Sequence, residues 1–304
     1  MIRLIAADMD GTLLHSNGYI TKKTADIIHK IQKSGFEFIV NTGRDYYSAK
    51  KELDAAKITC DMICNSGACT YDCFGNPFHI VSIPKSTAKK ILEIFQRHHA
   101  FADISTDYGK TSIENPEALL KYYKNEVFPA SKAEHKVYFK TPADFKQMTD
   151  RVRYFDNALS LLGSETPIYK ISTTFLNQEK IQQLRQEIEK LPGLHIASTA
   201  QTNLEISQEK AQKGYALMQY AKHRSIDPSE ILAIGDSEND YSMLSLNLGQ
   251  TVAMANADEM IHNICSSQTL SNNQDGVAVI LEGLLIERCF YEMHWRHADY
   301  SLIS

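Results

Sequence analysis

Two aspartates one residue apart, Asp8 and Asp10, follow the apolar run Ile2-Arg3-Leu4-Ile5-Ala6-Ala7. The segment Asp8-Met9-Asp10-Gly11-Thr12-Leu13-Leu14 therefore begins where a buried strand should end. Side chains two apart on an extended chain point the same way, so both carboxylates can converge on one small volume if strand geometry persists that far. Like charges that close demand a cation or a shared proton. Gly11-Thr12 lets the backbone turn sharply and offers N–H groups to an anion. Carboxylates beside amide donors point to Mg2+ and phosphate. A second apolar run, Phe36-Glu37-Phe38-Ile39-Val40, ends at Asn41-Thr42-Gly43-Arg44, and a third, Met62-Ile63-Cys64, leads into Asn65-Ser66-Gly67-Ala68. Ligands of open α/β sheets bind at such carboxyl ends of strands.

The elements that must carry these residues follow a βα rhythm over the first eighty positions, the pattern of a parallel sheet with crossover helices. Thr21 reads as an N-cap, Ile27, Ile28 and Ile31 mark one helical face, and Gly35 is placed to end that helix. The rhythm changes near Pro84. Helices are expected over Ser86–His99, from Asn115-Pro116, over Ala143–Tyr154 and over Glu179–Lys190. Strands are expected around Tyr108-Gly109 and at Lys136–Phe139, Tyr169–Thr174, Leu194–Thr199 and Asn203–Ser207. This reads as an α+β insert of normal domain size. After Ser207 the βα rhythm returns, with a helix from Lys213, a strand at Ile231–Ile234, the acidic segment Gly235-Asp236-Ser237-Glu238-Asn239-Asp240, a strand near Thr251–Met254 and two closing helices.

A chain of 304 residues with a formal charge of −5 has length for two moderate domains and carries no footprint of nucleic-acid binding. The start resembles no secretory signal, and no stretch reaches the apolar length that spans a bilayer, so a cytoplasmic location is expected. Six cysteines then read as reduced thiols. Cys60, Cys64, Cys69 and Cys73 lack the paired knuckles of a structural zinc site, and burial as small hydrophobes explains them better. His98-His99 and the pair His294 and His297 lack acidic or cysteine partners at ligand spacing. Leu284, Leu285, Phe290, Met293 and Trp295 suggest an amphipathic end that packs on the core or on a second copy.

Taken singly, Lys213 is more often a solvated charge, Thr42 a turn hydroxyl, and Asp236 and Asp240 capping acids before Tyr241-Ser242-Met243-Leu244. Together they change that reading. Asp8 to Leu13, Thr42 within Thr42-Gly43-Arg44, Lys213 before Gly214, and Gly235 to Asp240 resemble, in order, the four signature elements of the haloacid dehalogenase superfamily of phosphohydrolases. Glu205-Ile206, Lys213-Gly214, Val252 to Ala257 and Asp275-Gly276-Val277 are similar to the Cof-type subgroup with a type IIB cap. Two departures stand out: Asn65-Ser66-Gly67-Ala68 replaces the subgroup's Asn-Gly-Ala, and a tail continues beyond about Arg288.

The resemblance implies an α/β fold, a Rossmann-like parallel-sheet core (residues 1–83 and 208–304) with an inserted α+β cap domain (residues 84–207) that selects substrate. It implies a Mg2+-dependent phosphatase acting on the phosphate monoester of a small metabolite, a sugar phosphate or phosphorylated cofactor. Asp8 would be the nucleophile and Asp10 the general acid and base. Mg2+ would be held by the Asp8 carboxylate, the Asp10 carbonyl and Asp236, supported by Asn239 and Asp240. Thr42 and Lys213 would serve catalysis and bind phosphate, with Gly11, Gly43, Arg44 and Asn239 also on the phosphoryl group or substrate. Tyr108, Lys110, Tyr138 and Lys170 are candidate cap contacts by residue type alone. A phosphomutase using the same Asp8 intermediate, and a non-catalytic phosphate-binding regulator, are the alternatives. The expected partners are a small phosphorylated metabolite, with no nucleic acid or membrane, for a monomer or homodimer.

Overall fold

The computed structural model describes residues 1–133, 151–198 and 201–299, with the side chains of 131–133 and 291–299 outside that description. The first strand, β1 (Leu4–Ala7), has all four residues fully buried, as a strand covered on both faces must be. Ile5 and Ala7 join one hydrophobic cluster with Ile28, Val40 and Met62, while Leu4 and Ala6 join another with Ile39, Leu217 and Ala233. This alternation places helices on both faces of the sheet.

Thr21 caps α1 (Lys22–Lys33) by accepting the Thr24 N–H, and Gly35 leaves the helix at φ +82°. The chain then forms β2 (Glu37–Asn41), α2 (Tyr46–Ala55, capped by Asp45) and β3 (Asp61–Cys64). Next come β4 (Cys69–Tyr71) and β5 (Pro77–Ile80). At this edge of the sheet β4 pairs antiparallel with both β3 and β5. The connection after β3 is too short for a crossover helix, so the chain can only fold back beside it.

After α3 (Lys85–Arg97) the chain builds a second sheet from β6 (Asp103–Thr106), β7 (Gly109–Ser112), β8 (Arg153–Tyr154), β9 (Ile168–Thr174), β10 (Leu194–Ala197) and β11 (Asn203–Gln208). Its order is β10-β11-β9-β6-β7-β8, antiparallel except where β8 joins β7. Helices α3 and α4 (Gln178–Ile188) cover it through Ile91, Phe95, Ile181 and Leu184. This is the α+β cap. Tyr154, expected in a helix, is instead in a strand, where Arg153 and Tyr154 pair with Thr111 and Ser112. Tyr138, the strand expected at Lys136–Phe139 and residues 143–150 of that expected helix lie outside the described residues.

The chain returns through α5 (Lys213–Arg224), β12 (Ile231–Gly235), β13 (Gln250–Ala253), β14 (Ser267–Gln268) and α6 (Gly276–Asp299). The completed core sheet has the order β14-β13-β12-β1-β2-β3-β4-β5 and is parallel from β14 to β3. From β1 the chain moves outward through β2 and later returns on the opposite side at β12. The strand order thus reverses at β1, and a crevice opens at the carboxyl ends there. Helix α6 packs beside α1, with Leu281 and Leu284 buried and the Arg288 guanidinium 4.9 Å from the Phe36 ring centre. The side chains of Met293, His294, Trp295 and His297 lie outside the described residues.

Candidate active site

At that crevice Asp8 leaves β1 buried, Asp236 leaves β12, and Lys213 begins α5 with its side chain fully buried. Lys213 Nζ donates to Asp8 Oδ1 and to Asp240 Oδ1, each at 2.6 Å, and to Asn239 Oδ1 at 3.3 Å. Asp240 uses its other oxygen to accept the backbone N–H groups of Asp236 (2.9 Å) and Ser237 (3.1 Å). It is thereby a brace for the loop that carries Asp236. Asp236 Oδ1 accepts the Thr12 hydroxyl at 2.7 Å. A Cβ on Gly11 would lie 2.2 Å from Asp236 Oδ2, at a backbone φ of +80°, so the turn admits only glycine.

Carboxylate oxygens of Asp8, Asp236 and Asp240 lie within 4.8 Å of one another. Three carboxylates face one ammonium, leaving two negative charges uncompensated when all are ionised. Burial, then Asp240, pushes the Asp8 carboxyl well above its usual range, against the pull of Lys213. Asp236 is pushed up to about 7 by burial and next by Asp240. Burial opposes the Lys213 charge too, but Asp240 and Asp8 outweigh it and hold the ammonium above its ordinary value. An all-oxygen donor set short of two positive charges fits a hard divalent cation such as Mg2+. Asp8 and Asp236 have the oxygens to offer: among the described residues no hydrogen bond engages Oδ2 of either.

The expectation that Asp8 and Asp10 converge does not hold. The strand ends at Ala7, and Asp10 turns outward, its side chain 46% exposed. There both its oxygens accept from Arg44, Nε at 2.8 Å and Nη2 at 2.7 Å. Thr42 is fully buried, and its hydroxyl oxygen accepts the Arg44 backbone N–H at 3.1 Å. The hydroxyl proton stays available to a ligand. A Cβ on Gly43 would lie 3.3 Å from Ser66 Oγ and 3.7 Å from Asn239 Nδ2.

Several residues within the recognised segments support the site without having been named as site candidates. Asn41, at the end of β2, donates to the Lys213 carbonyl at 3.0 Å, and Asn256 donates to the Gly11 carbonyl at 2.8 Å. Asn65, Ser66 and Gly67 all have positive φ, at +50°, +57° and +101°. The left-handed region is costly for Ser66 and better tolerated by Asn65. This loop joins two others: Asn65 N–H donates to the Arg44 carbonyl and Ser66 N–H to the Thr42 carbonyl, while a Cβ on Gly67 would meet the Gln212 carbonyl at 2.4 Å. Of the cap candidates, Lys170 reaches the site, its Nζ 3.4 Å from the Gly43 carbonyl. Lys110 instead pairs with Asp103 at 3.0 Å, and Tyr108 lies under the Arg153 guanidinium. Cys60, Cys64 and Cys69 are buried in the core.

The profile of the haloacid dehalogenase-like hydrolases matches residues 5–281. Phosphatase YwpJ of Bacillus subtilis is 30% identical over 286 residues, 93% of this chain and 100% of that protein. The 5-amino-6-(5-phospho-D-ribitylamino)uracil phosphatase YwtE of Bacillus subtilis is 26% identical, with 93% of this chain and 98% of that protein covered. Among solved structures, a haloacid dehalogenase-like hydrolase from B. subtilis superposes with a TM-score of 0.77 at 29% identity, covering 92% of this chain and 99% of that one. The subclass IIB sugar phosphatase BT4131 shares the fold, with a TM-score of 0.71 at 16% identity over 93% of this chain and 99% of that one.

Proposed function

The chain belongs to the haloacid dehalogenase-like hydrolases and is a phosphoric monoester hydrolase, and from that premise we propose a Mg2+-dependent reaction through an aspartyl-phosphate on Asp8, with the phosphate monoester of a small metabolite as substrate. The observation that carries this reading is the buried Asp8–Lys213–Asp240 array beside Asp236, which lacks two positive charges. Mg2+ on Asp8, the Asp10 carbonyl and Asp236 would supply them, and would offset charge on the phosphoryl oxygens.

Lys213 fixes one Asp8 oxygen and leaves the other to attack phosphorus. As the new O–P bond forms, the ester O–P bond breaks, and its electron pair goes to the leaving oxygen, which takes a proton from Asp10. Water then attacks phosphorus, gives a proton to Asp10 and releases Asp8 with inorganic phosphate. Thr42 donates its hydroxyl proton to a phosphoryl oxygen, and Lys213 balances charge through both steps. Gly11, Gly43 and Asn239 shape the phosphoryl pocket. Asp10 must leave its pair with Arg44 to act, and phosphoryl oxygens offer that guanidinium a replacement partner.

In this reading residues 1–83 and 208–304 are the catalytic core and residues 84–207 the cap. The test is phosphate release from a panel of phosphorylated metabolites, with Mg2+ and with chelator. Mg2+-dependent release supports the proposal. Transfer back to substrate without free phosphate would favour a mutase, and binding without turnover a regulator.

A further inference from the structure

Regular alternation along β9 would put Ile168 and Lys170 on one face of the cap sheet. In the structure they part. Ile168 joins Ile104 and Ile171 in the cap's own apolar cluster, while Lys170 turns to the core, donating to Glu205 Oε2 at 2.8 Å with its Nζ 3.4 Å from the Gly43 carbonyl. The register explains the change. Ser105 of β6 stands opposite Lys170 and Thr106 opposite Ile168, so Tyr169 is the extra residue of a β-bulge. A bulge bends its strand and re-aims a side chain.

Tyr169 is aimed out of the cap. It is the largest of the fully buried side chains among the described residues, and it belongs to the apolar cluster of the core, with Val40, Cys64, Cys69 and Tyr71. Its phenol lies by Cys69 and Tyr71 of β4. The chain crosses between the two sheets twice, after β5 and after β11, and both crossings enter this cluster. In the first, Ile83 N–H donates to the Ile168 carbonyl at 2.8 Å, and Val81 packs on the cluster. In the second, Ala211 is buried in it. A rotation displaces an atom in proportion to its distance from the axis, and the axis of a hinged domain runs by the segments that join it to its neighbour. Tyr169 therefore sits where a swing of the cap moves it least.

Resting on the phosphatase reading, we propose that Tyr169 is a positioning residue, the pivot on which the cap turns as it closes over the phosphoryl site. Being fully buried, it touches no substrate. It acts through its neighbour Lys170, keeping the cap face in register with the Thr42-Gly43 loop. Without the ring the cap still covers the site, but a smaller share of molecules holds the productive register, and apparent affinity falls by that share. The phosphoryl chemistry belongs to the core and is unchanged once substrate is seated.

The experiment measures kcat and KM with Mg2+ for ribose 5-phosphate, glucose 6-phosphate and nitrophenyl phosphate, and the inhibition constant of inorganic phosphate, in the wild type, Tyr169→Phe and Tyr169→Ala. In Tyr169→Ala the KM of the best substrate should rise at least about tenfold while kcat changes by less than about threefold, the signature of a lost competent population. Inorganic phosphate, which the core alone holds, should inhibit as it does the wild type. Tyr169→Phe keeps the ring and should match the wild type throughout. If Tyr169→Ala does not fold, Tyr169→Leu, which keeps apolar bulk, should still raise KM by at least about threefold. A folded variant with unchanged KM, a fall in kcat alone, or phosphate inhibition that weakens in step with KM would overturn the pivot and leave the phosphatase reading standing. No turnover of any compound by the wild type would overturn the phosphatase reading and the pivot with it.

Discussion

Lys213 is the residue on which the site's electrostatics turn, because its ammonium touches two carboxylates inside the protein. Removing one partner of a buried ion pair leaves the others uncompensated, which costs about 3–5 kcal/mol. Lys213→Met should therefore lower unfolding free energy by about that much at neutral pH, read by denaturant titration. The deficit should shrink in acid, where the carboxyl groups take up protons. Asp8→Asn acts in the opposite sense on the fold, since it deletes one of three crowded carboxylates. It should abolish phosphate release while thermal stability without metal holds or rises. Asp10→Asn should slow turnover by about 10²–10⁴, the usual worth of a general acid and base, with the fold intact.

At the scale of elements, the site depends on loops pressed together without side-chain padding. Helix α5 meets the short helix Tyr241–Leu244 so closely that a Cβ on Gly214 would lie 1.9 Å from the Ser242 carbonyl oxygen. Gly214→Ala should destabilise the protein by about 1–3 kcal/mol, the cost of overpacking, and should reduce kcat because Lys213 moves with its helix. An unchanged melting temperature would contradict that packing. The same closeness explains what the sequence could and could not convey. Asp8, Asp236 and Lys213 were legible because each follows a strand end or starts a helix within a recognisable segment. Thr21 and Gly35 announced the limits of α1 through capping chemistry that is local. The outward turn of Asp10 was not legible, since it depends on Arg44 arriving from the end of β2. Nor was the positive-φ run Asn65-Ser66-Gly67, whose conformation is set by Thr42, Arg44 and Gln212. Glu205 stood in a segment of recognisable resemblance, yet its pairing with Lys170 needs the register of two strands distant in sequence.

Across the whole molecule, two sheets meet over one charged crevice, and the cation that completes it should report in stability. Asp236 is pushed up from an ordinary 3.8 to about 7, by burial first. A carboxyl with a raised folded value holds its proton more tightly when folded. Its contribution is therefore full below about pH 4 and is lost as the pH rises to about 7. In chelator, Asp236→Asn should gain stability relative to wild type across that window, followed by melting curves at successive pH values. Mg2+ at about a hundred times its Kd should add about 2.7 kcal/mol to the wild type and less to the variant. No helix among the described residues is long and apolar enough to cross a membrane. Whether Asp8 takes the phosphoryl group is tested by acid quench of turnover with a phosphate-labelled substrate, followed by mapping of the labelled peptide. Label is expected on Asp8 in the wild type, more of it in Asp10→Asn where hydrolysis is slowed, and none in Asp8→Asn. Label on another residue, or full-rate phosphate release by Asp8→Asn, would contradict it.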